Sequence, residues 1–199
     1  MASQITHVLY GKKIFERHPG LSWPDFLIGT LFPDIRYLAK IDRNKLHKFN
    51  TSEEMIPKDS SFKAGMYVHW LVDEKREKFI SEKGIYGLLP KEQYISAAIK
   101  LIEDKLVYDS IDNWEEIINT LGTYPKEEEG FGIGRKILEN WHNLLKKYFR
   151  QKPDLETWRE MILSLGFDRE LSESVLSQTK IIQANKKAVG IIKAIFEII

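Results

Sequence analysis

An all-α fold is the reading of this sequence, on three observations. Apolar residues recur at three- and four-residue spacing nearly everywhere, the sustained alternation of a half-buried strand is hard to find, and Pro or Gly punctuates the periodic segments. The 199 residues, 43% apolar and 12% aromatic, suit a single compact multi-helix domain over residues 1–199, with no repeat period and no linker.

Ser3 is placed to cap a first helix that runs to about Arg17, where His18-Pro19-Gly20 stops it. Ser22, Pro24 and Asp25 open a short second helix. Pro33 marks another start, because a proline pushes the residue before it out of helical geometry. A long helix is predicted over about Ser61 to Glu82, ended by Gly84 and Gly87. The stripes Ile95, Ala98, Ile99, Ile102, Leu106 and Trp114, Ile117, Ile118, Leu121 predict two packing helices, the second broken by Gly122.

Tyr124 to Gly134, with Pro125, three consecutive glutamates and three glycines, predicts a flexible surface loop that could act as a lid. Its glycines do not form a nucleotide loop, since no strand precedes them and no Gly-Lys-Ser/Thr follows. Helical patterns resume at Ile137, Leu138, Trp141, Leu144, Leu145, Tyr148 and at Leu155, Trp158, Met161, Ile162, Leu165. At the end, Ile181, Val189, Ile192, Ile195, Phe196 and Ile199 form a wide apolar face opposite Lys186, Gly190, Lys193 and Glu197. That pattern fits a helix pressed into its own core, and its charges interrupt any span of the ~20 apolar residues a bilayer requires.

A net charge of +1 gives no global field for holding nucleic acid or an anionic bilayer. The absence of cysteine excludes disulfides, thiolate metal sites and cysteine nucleophiles together, so any metal must sit on His, Asp, Glu or backbone oxygen. The first residues lack the apolar region and cleavage site of a signal peptide, which leads to the expectation of a cytoplasmic chain without integral membrane association or a stable nucleic-acid partner.

His69 and Asp73 stand four apart on the edge of the apolar run Ala64 to Val72, a poor place for a bare carboxylate. Either the two hydrogen-bond each other, or Asp73 begins the solvated run Glu74 to Glu77, or a metal ion compensates the charge. Gly65 lies one turn before His69 and Gly11 one turn after His7, which one reading takes as space for an ion and its water. Asp34, between apolar neighbours in Phe32-Pro33-Asp34-Ile35, is either an acid favoured by a helix dipole or a ligand. His47, in Leu46-His47-Lys48-Phe49, is either a hydrogen-bonded structural histidine or a third imidazole for the same ion. Together the three imidazoles and two carboxylates suit zinc and similar transition metals better than calcium or magnesium. His18 reads as a helix-end cation, and His142 as structural or as a pocket or metal residue. No His-Asp pair, His-Glu-x-x-His or Gly-x-Ser-x-Gly occurs.

Thr6-His7, the segment from Phe26 to Ile35, Leu46-His47-Lys48-Phe49 and the segment from Ala64 to Asp73 resemble the zinc-dependent phospholipase C family, which is related to the zinc-dependent single-strand nucleases. The resemblance covers roughly residues 5 to 80. It implies an all-helical fold of that type with a metal cluster at one end, cleaving phosphoester bonds. On it, Asp34, His47, His69 and Asp73 match the ligands of one zinc site, with Asp73 bridging to a neighbouring ion whose ligand is His7. The family's processed amino-terminal tryptophan has no counterpart at Met1 or Ala2, and its His-x-x-x-Glu pair is replaced by His142 and Lys146, so one ion or two are expected rather than three. Asp34 and Asp73 are the catalytic candidates, orienting or deprotonating water. The expectation is a metal-dependent phosphoester hydrolase, phospholipase C-like, acting on a small phosphoester or phospholipid. The competing expectation is a helical interaction or scaffolding protein whose metal is structural.

Overall fold

The computed structural model describes residues 3–48 and 50–197, and no strand occurs among them. Met1, Ala2, Phe49 and Ile199, which the sequence reading used, lie outside the described residues. The order is α1 (Gln4–Phe15), α2 (Trp23–Leu31), a 3₁₀ turn (Phe32–Ile35) running straight into α3 (Arg36–Ala39), α4 (Arg43–Leu46) and α5 (Ser61–Glu82). Then come α6 (Ile95–Val107), α7 (Trp114–Thr120), α8 (Lys126–Glu129), α9 (Arg135–Phe149), α10 (Leu155–Ser164), α11 (Arg169–Ala184) and α12 (Lys186–Ala194). Among the described residues no helix is long and apolar enough to cross a membrane.

Local chemistry explains several of the starts. Pro24 opens α2, and the side chains of Ser60, Asp154, Asp168 and Asn185 accept backbone N–H groups at the N-termini of α5, α10, α11 and α12. Lys40, left-handed at φ 52°, terminates α3.

Ser3 departs from expectation. It stands at the N-cap of α1, but its Oγ donates to Asp104 Oδ2 at 2.6 Å, and it is Asp104 Oδ1 that accepts the Thr6 N–H at 2.9 Å. A carboxylate from α6 therefore caps α1, and α1 ends at Phe15 rather than Arg17. The final segment also differs in detail. Asn185 breaks the helix between α11 and α12, so Ile181 lies on a different register from Ile192 and Ile195 and is 43% exposed while they are buried.

Tyr124 to Gly134 is not a free loop. It contains α8, and the fully buried Glu128 meets His142 Nε2 at 2.8 Å, while Phe131 packs on Phe32 with ring centroids 4.9 Å apart. Its residues line neither cleft that reaches the metal-ligand candidates described below, so the lid expectation fails.

The closest packing is between α2 and α5, and it uses glycine. A Cβ on Gly65 would lie 2.0 Å from the Phe26 carbonyl oxygen, and one on Gly29 would lie 2.1 Å from that of Phe62. A Cβ on Gly11 would meet Thr30 Cγ2 at 3.2 Å. The space beside Gly65 and Gly11 therefore belongs to helix packing and not to an ion with its water. α1 lies across this pair and also contacts α6, which α11 and α12 cover from the other side. Arg76 on α5 and Glu103 on α6, both fully buried, form a two-pronged ion pair, Nη2 to Oε1 at 2.7 Å and Nε to Oε2 at 3.0 Å, that ties these helices together.

Gly65→Ala and Gly29→Ala should each lower stability by about 3 kcal/mol or prevent folding, since backbone cannot retreat as a side chain can. Gly190→Ala, in α12 with open space around it, should be neutral or stabilising by about 0.5–1 kcal/mol. Denaturant unfolding of the three variants compares them directly.

Candidate metal centre

Separate elements deliver the candidate residues to one place. His7 comes from the middle of α1, Asp34 from the 3₁₀ turn, His47 from the C-cap of α4, and His69 and Asp73 from adjacent turns of α5. The structure brings all of them together, and each is at most 5% exposed.

His47 Nε2 lies 3.1 Å from His69 Nε2. Asp73 Oδ2 is 3.7 Å from His69 Nε2 and 3.9 Å from His47 Nε2, and Asp34 Oδ1 is 3.9 Å from His47 Nε2. Ligand atoms ~2.1 Å from a tetrahedral ion stand roughly 3.4 Å apart, so these spacings bracket the edges of such a site. His7 adds a layer: its ring stacks on His69 with centroids 3.9 Å apart, and its Nε2 is 3.4 Å from Asp73 Oδ1. Two groups could hold a metal ion, His7 with Asp34 and His69, and His47 with His69 and Asp73.

The surroundings set which atoms face the centre. The Thr30 carbonyl, 2.9 Å from His69 Nδ1, accepts its proton and leaves the Nε2 lone pair aimed inward. Gln4 Nε2 donates to Asp34 Oδ2 at 2.7 Å. Asp34 Oδ1 and His7 Nε2, which both face the other candidates, are buried with no hydrogen-bond partner. Buried polar atoms are rarely left so, and this concentration around one point matches a place for a cation.

Burial and then the His69 imidazole push His47 down to about 4, and burial and then His7 do the same to His69. For Asp34, burial acts to raise the carboxyl, but His69, His7 and His47 together hold it below the ordinary range. Asp73 lies well below it, where His69 and a contact from His7 outweigh burial. Near neutral pH His47 and His69 are therefore neutral and Asp34 and Asp73 ionised, the protonation state of metal ligands. Asp34 makes no ion pair with lysine or arginine among the described residues.

Two clefts reach the centre. Asp34 and Gln4 line an apolar cleft walled by Tyr94, Leu101, Met161, Ile162 and Phe167. His47 and Asp73 line a more polar one with Arg43, Lys48, Glu74 and Lys78. His142 takes no part: its Nδ1 is 3.0 Å from the Leu121 carbonyl and its Nε2 meets Glu128, so the structural reading holds. His18 sits beside Glu53 at 3.8 Å.

The sequence reading passed over Gln4, the Thr30 carbonyl and Asp104. Gln4 carries no sequence signal beyond its place one turn before His7.

The chain matches no protein-family model, no curated protein and no solved structure. Fold and site together define an all-helical protein with a buried His/Asp cluster that could hold a metal ion.

His47 and His69 titrate near 4 when folded and near 6.5 when unfolded, so the unfolded chain takes up their protons first as pH falls. Metal-free protein should therefore lose stability progressively from about pH 6.5 to about pH 4, with Asp34 and Asp73 extending the loss below that. Denaturant unfolding in chelator across this range checks it, and a flat profile would contradict the assigned protonation states.

Proposed function

We propose that the protein is a metal-dependent phosphoester hydrolase in which zinc or a similar divalent ion is held by Asp34, His47, His69 and Asp73. The observation that carries this reading is the pair of buried, ionised carboxylates 3.7–3.9 Å from the His47 and His69 Nε2 atoms, which are themselves 3.1 Å apart, an arrangement that costs free energy unless a cation joins it. The Nδ1 of His69 is committed to Thr30, so this imidazole has one lone pair to give. The two metal-binding groups share His69, and the proposed site joins Asp34 of the first to His47 and Asp73 of the second through that residue. A second ion would rest on His7 and Asp73 Oδ1 with little else from the chain.

When bound, the ion supplies Lewis acidity, making water nucleophilic near neutral pH and drawing charge from a phosphoryl oxygen. Asp34 and Asp73 orient the attacking water and receive its proton. Gln4 fixes the rotation of the Asp34 carboxylate through Oδ2, and the Thr30 carbonyl fixes the tautomer of His69. The access of clefts to Asp34 on one side and to His47 and Asp73 on the other favours a reacting ion over an enclosed structural one. This is what weighs against the scaffolding alternative.

Protein purified without chelator should carry about one equivalent of zinc or a similar ion by elemental analysis. With zinc, manganese or cobalt restored, it should cleave bis-p-nitrophenyl phosphate. Asp73→Asn keeps the shape and removes the charge, so it should lower that rate at least about 100-fold while the helical circular dichroism persists. Bound metal without cleavage of any phosphoester in a lipid and nucleotide panel would leave the structural-metal reading. No metal, and no thermal stabilisation by zinc, would remove both.

A further inference from the structure

Of the candidate ligands only His47 lies outside helical structure. Its backbone is extended, φ −126° and ψ 139°, at the C-cap of the four-residue α4, and its Nδ1 is buried with no hydrogen-bond partner, whereas the Thr30 carbonyl holds the ring of His69 through Nδ1. The His47 ring therefore has no grip of that kind. Its main chain is gripped instead, on both sides, by one face of α5. Before it, the Trp70 indole N–H donates at 2.7 Å to the Leu46 carbonyl, one of the acceptors that a helix end leaves without an intrahelical partner. After it, Glu74 Oε1 accepts the Asn50 N–H at 2.5 Å, and Oε2 accepts the Thr51 N–H and hydroxyl at 2.9 and 2.6 Å. Trp70 and Glu74 stand four apart and share a face of α5, each directly following a candidate ligand, His69 and Asp73.

We propose that Trp70 and Glu74 are the positioning residues of His47, and that by clamping the chain on both sides of it to α5 they set how tightly the centre holds its ion. The assignment rests on the metal site proposed above, and it supplies the control that hydrogen bonds to the ring leave out. His69 needs no such clamp, because Thr30 fixes its tautomer and its rotation together. The His47 ring is placed through its own backbone, so loosening that backbone makes the ion bear the entropy of ordering the segment. Glu74 is spent on this task, since both its oxygens are taken by donors of the clamped chain. Trp70 makes a second contact of the same sense: the Lys48 ammonium, on the residue after His47, lies 5.4 Å from the centre of its ring.

Titration of chelator-stripped protein with cobalt(II) tests this, because the visible absorption of the bound ion reports its ligands and their geometry. Trp70→Phe keeps an aromatic ring and removes the N–H, and Glu74→Gln keeps the shape and leaves one oxygen to accept. Each should weaken cobalt binding about tenfold or more while the helical circular dichroism persists. At saturating cobalt, each spectrum should move towards that of His47→Ala. Tyr67→Phe removes another anchor of the same stretch of chain, the acceptance of the Ser52 N–H at 3.1 Å, and should leave affinity and spectrum as they are. Glu74→Gln carries the test alone should Trp70→Phe disturb folding. The proposal is overturned if the variants bind cobalt as tightly as wild type, or if affinity falls while the spectrum stays that of wild type. It is equally overturned if Tyr67→Phe costs as much as either. Wild-type protein that takes up no cobalt would remove the metal site and this assignment together, whereas the expected pattern without phosphoester cleavage would keep the assignment while the hydrolase reading falls.

Discussion

The approach of α2 to α5 at backbone distance is the constraint on which the rest depends. With Gly29 and Gly65 facing main chain, each where a Cβ would fall about 2 Å from a carbonyl oxygen, the two helices lie closer than any pair of side-chain-bearing surfaces permits. That closeness puts the Thr30 carbonyl within 2.9 Å of His69 Nδ1. It also sets the 3₁₀ turn that follows α2 beside the same face of α5, which brings Asp34 to His69 and Asp73. A wider helix separation would leave the imidazole free to rotate and the carboxylates apart.

Around this pair the protein buries several charged groups and resolves them in different ways. Arg76 and Glu103 neutralise each other with parallel hydrogen bonds between α5 and α6. Asp104, pushed up to about 6 by burial, is surrounded by donors from Ser3, Thr6 and Tyr148, and in accepting them it caps the helix that carries His7. Glu128 and His142 hold α8 against α9, using a pair whose imidazole is also anchored to the Leu121 carbonyl. Glu128 keeps one oxygen without a partner, but at the His/Asp cluster two carboxylates and the imidazole nitrogens meet with few donors between them. That gathering of acceptors in one core is what suits the cluster to a cation.

Much of this was legible along the chain. The helix over Ser61–Glu82 follows from its cap and its glycine stop, and the candidate ligands stand out because carboxylates and imidazoles interrupt apolar runs. Glu103 carried the same signal unread, falling four residues after Ile99 and four before Val107, in phase with the buried face of α6. Gly65 was misread, because a glycine one turn from a histidine looks the same in sequence whether its missing side chain admits an ion or a neighbouring backbone. Tyr124 to Gly134 was misread for a related reason: its composition reports local flexibility, and the partners that pin Glu128 and Phe131 lie on distant elements.

The sequence by itself determined the all-helical class, the places of the longer helices and the residue types of the cluster, since these depend on periodicity, capping and the cost of burying charge, all of which act within a few residues. Tertiary structure alone decided that His7, Asp34, His47, His69 and Asp73 meet, which nitrogen of His69 faces inward, and that Asp104 caps α1. Each of these depends on distances between elements far apart in the chain, and such distances are set by how closely helices pack, which local pattern does not encode.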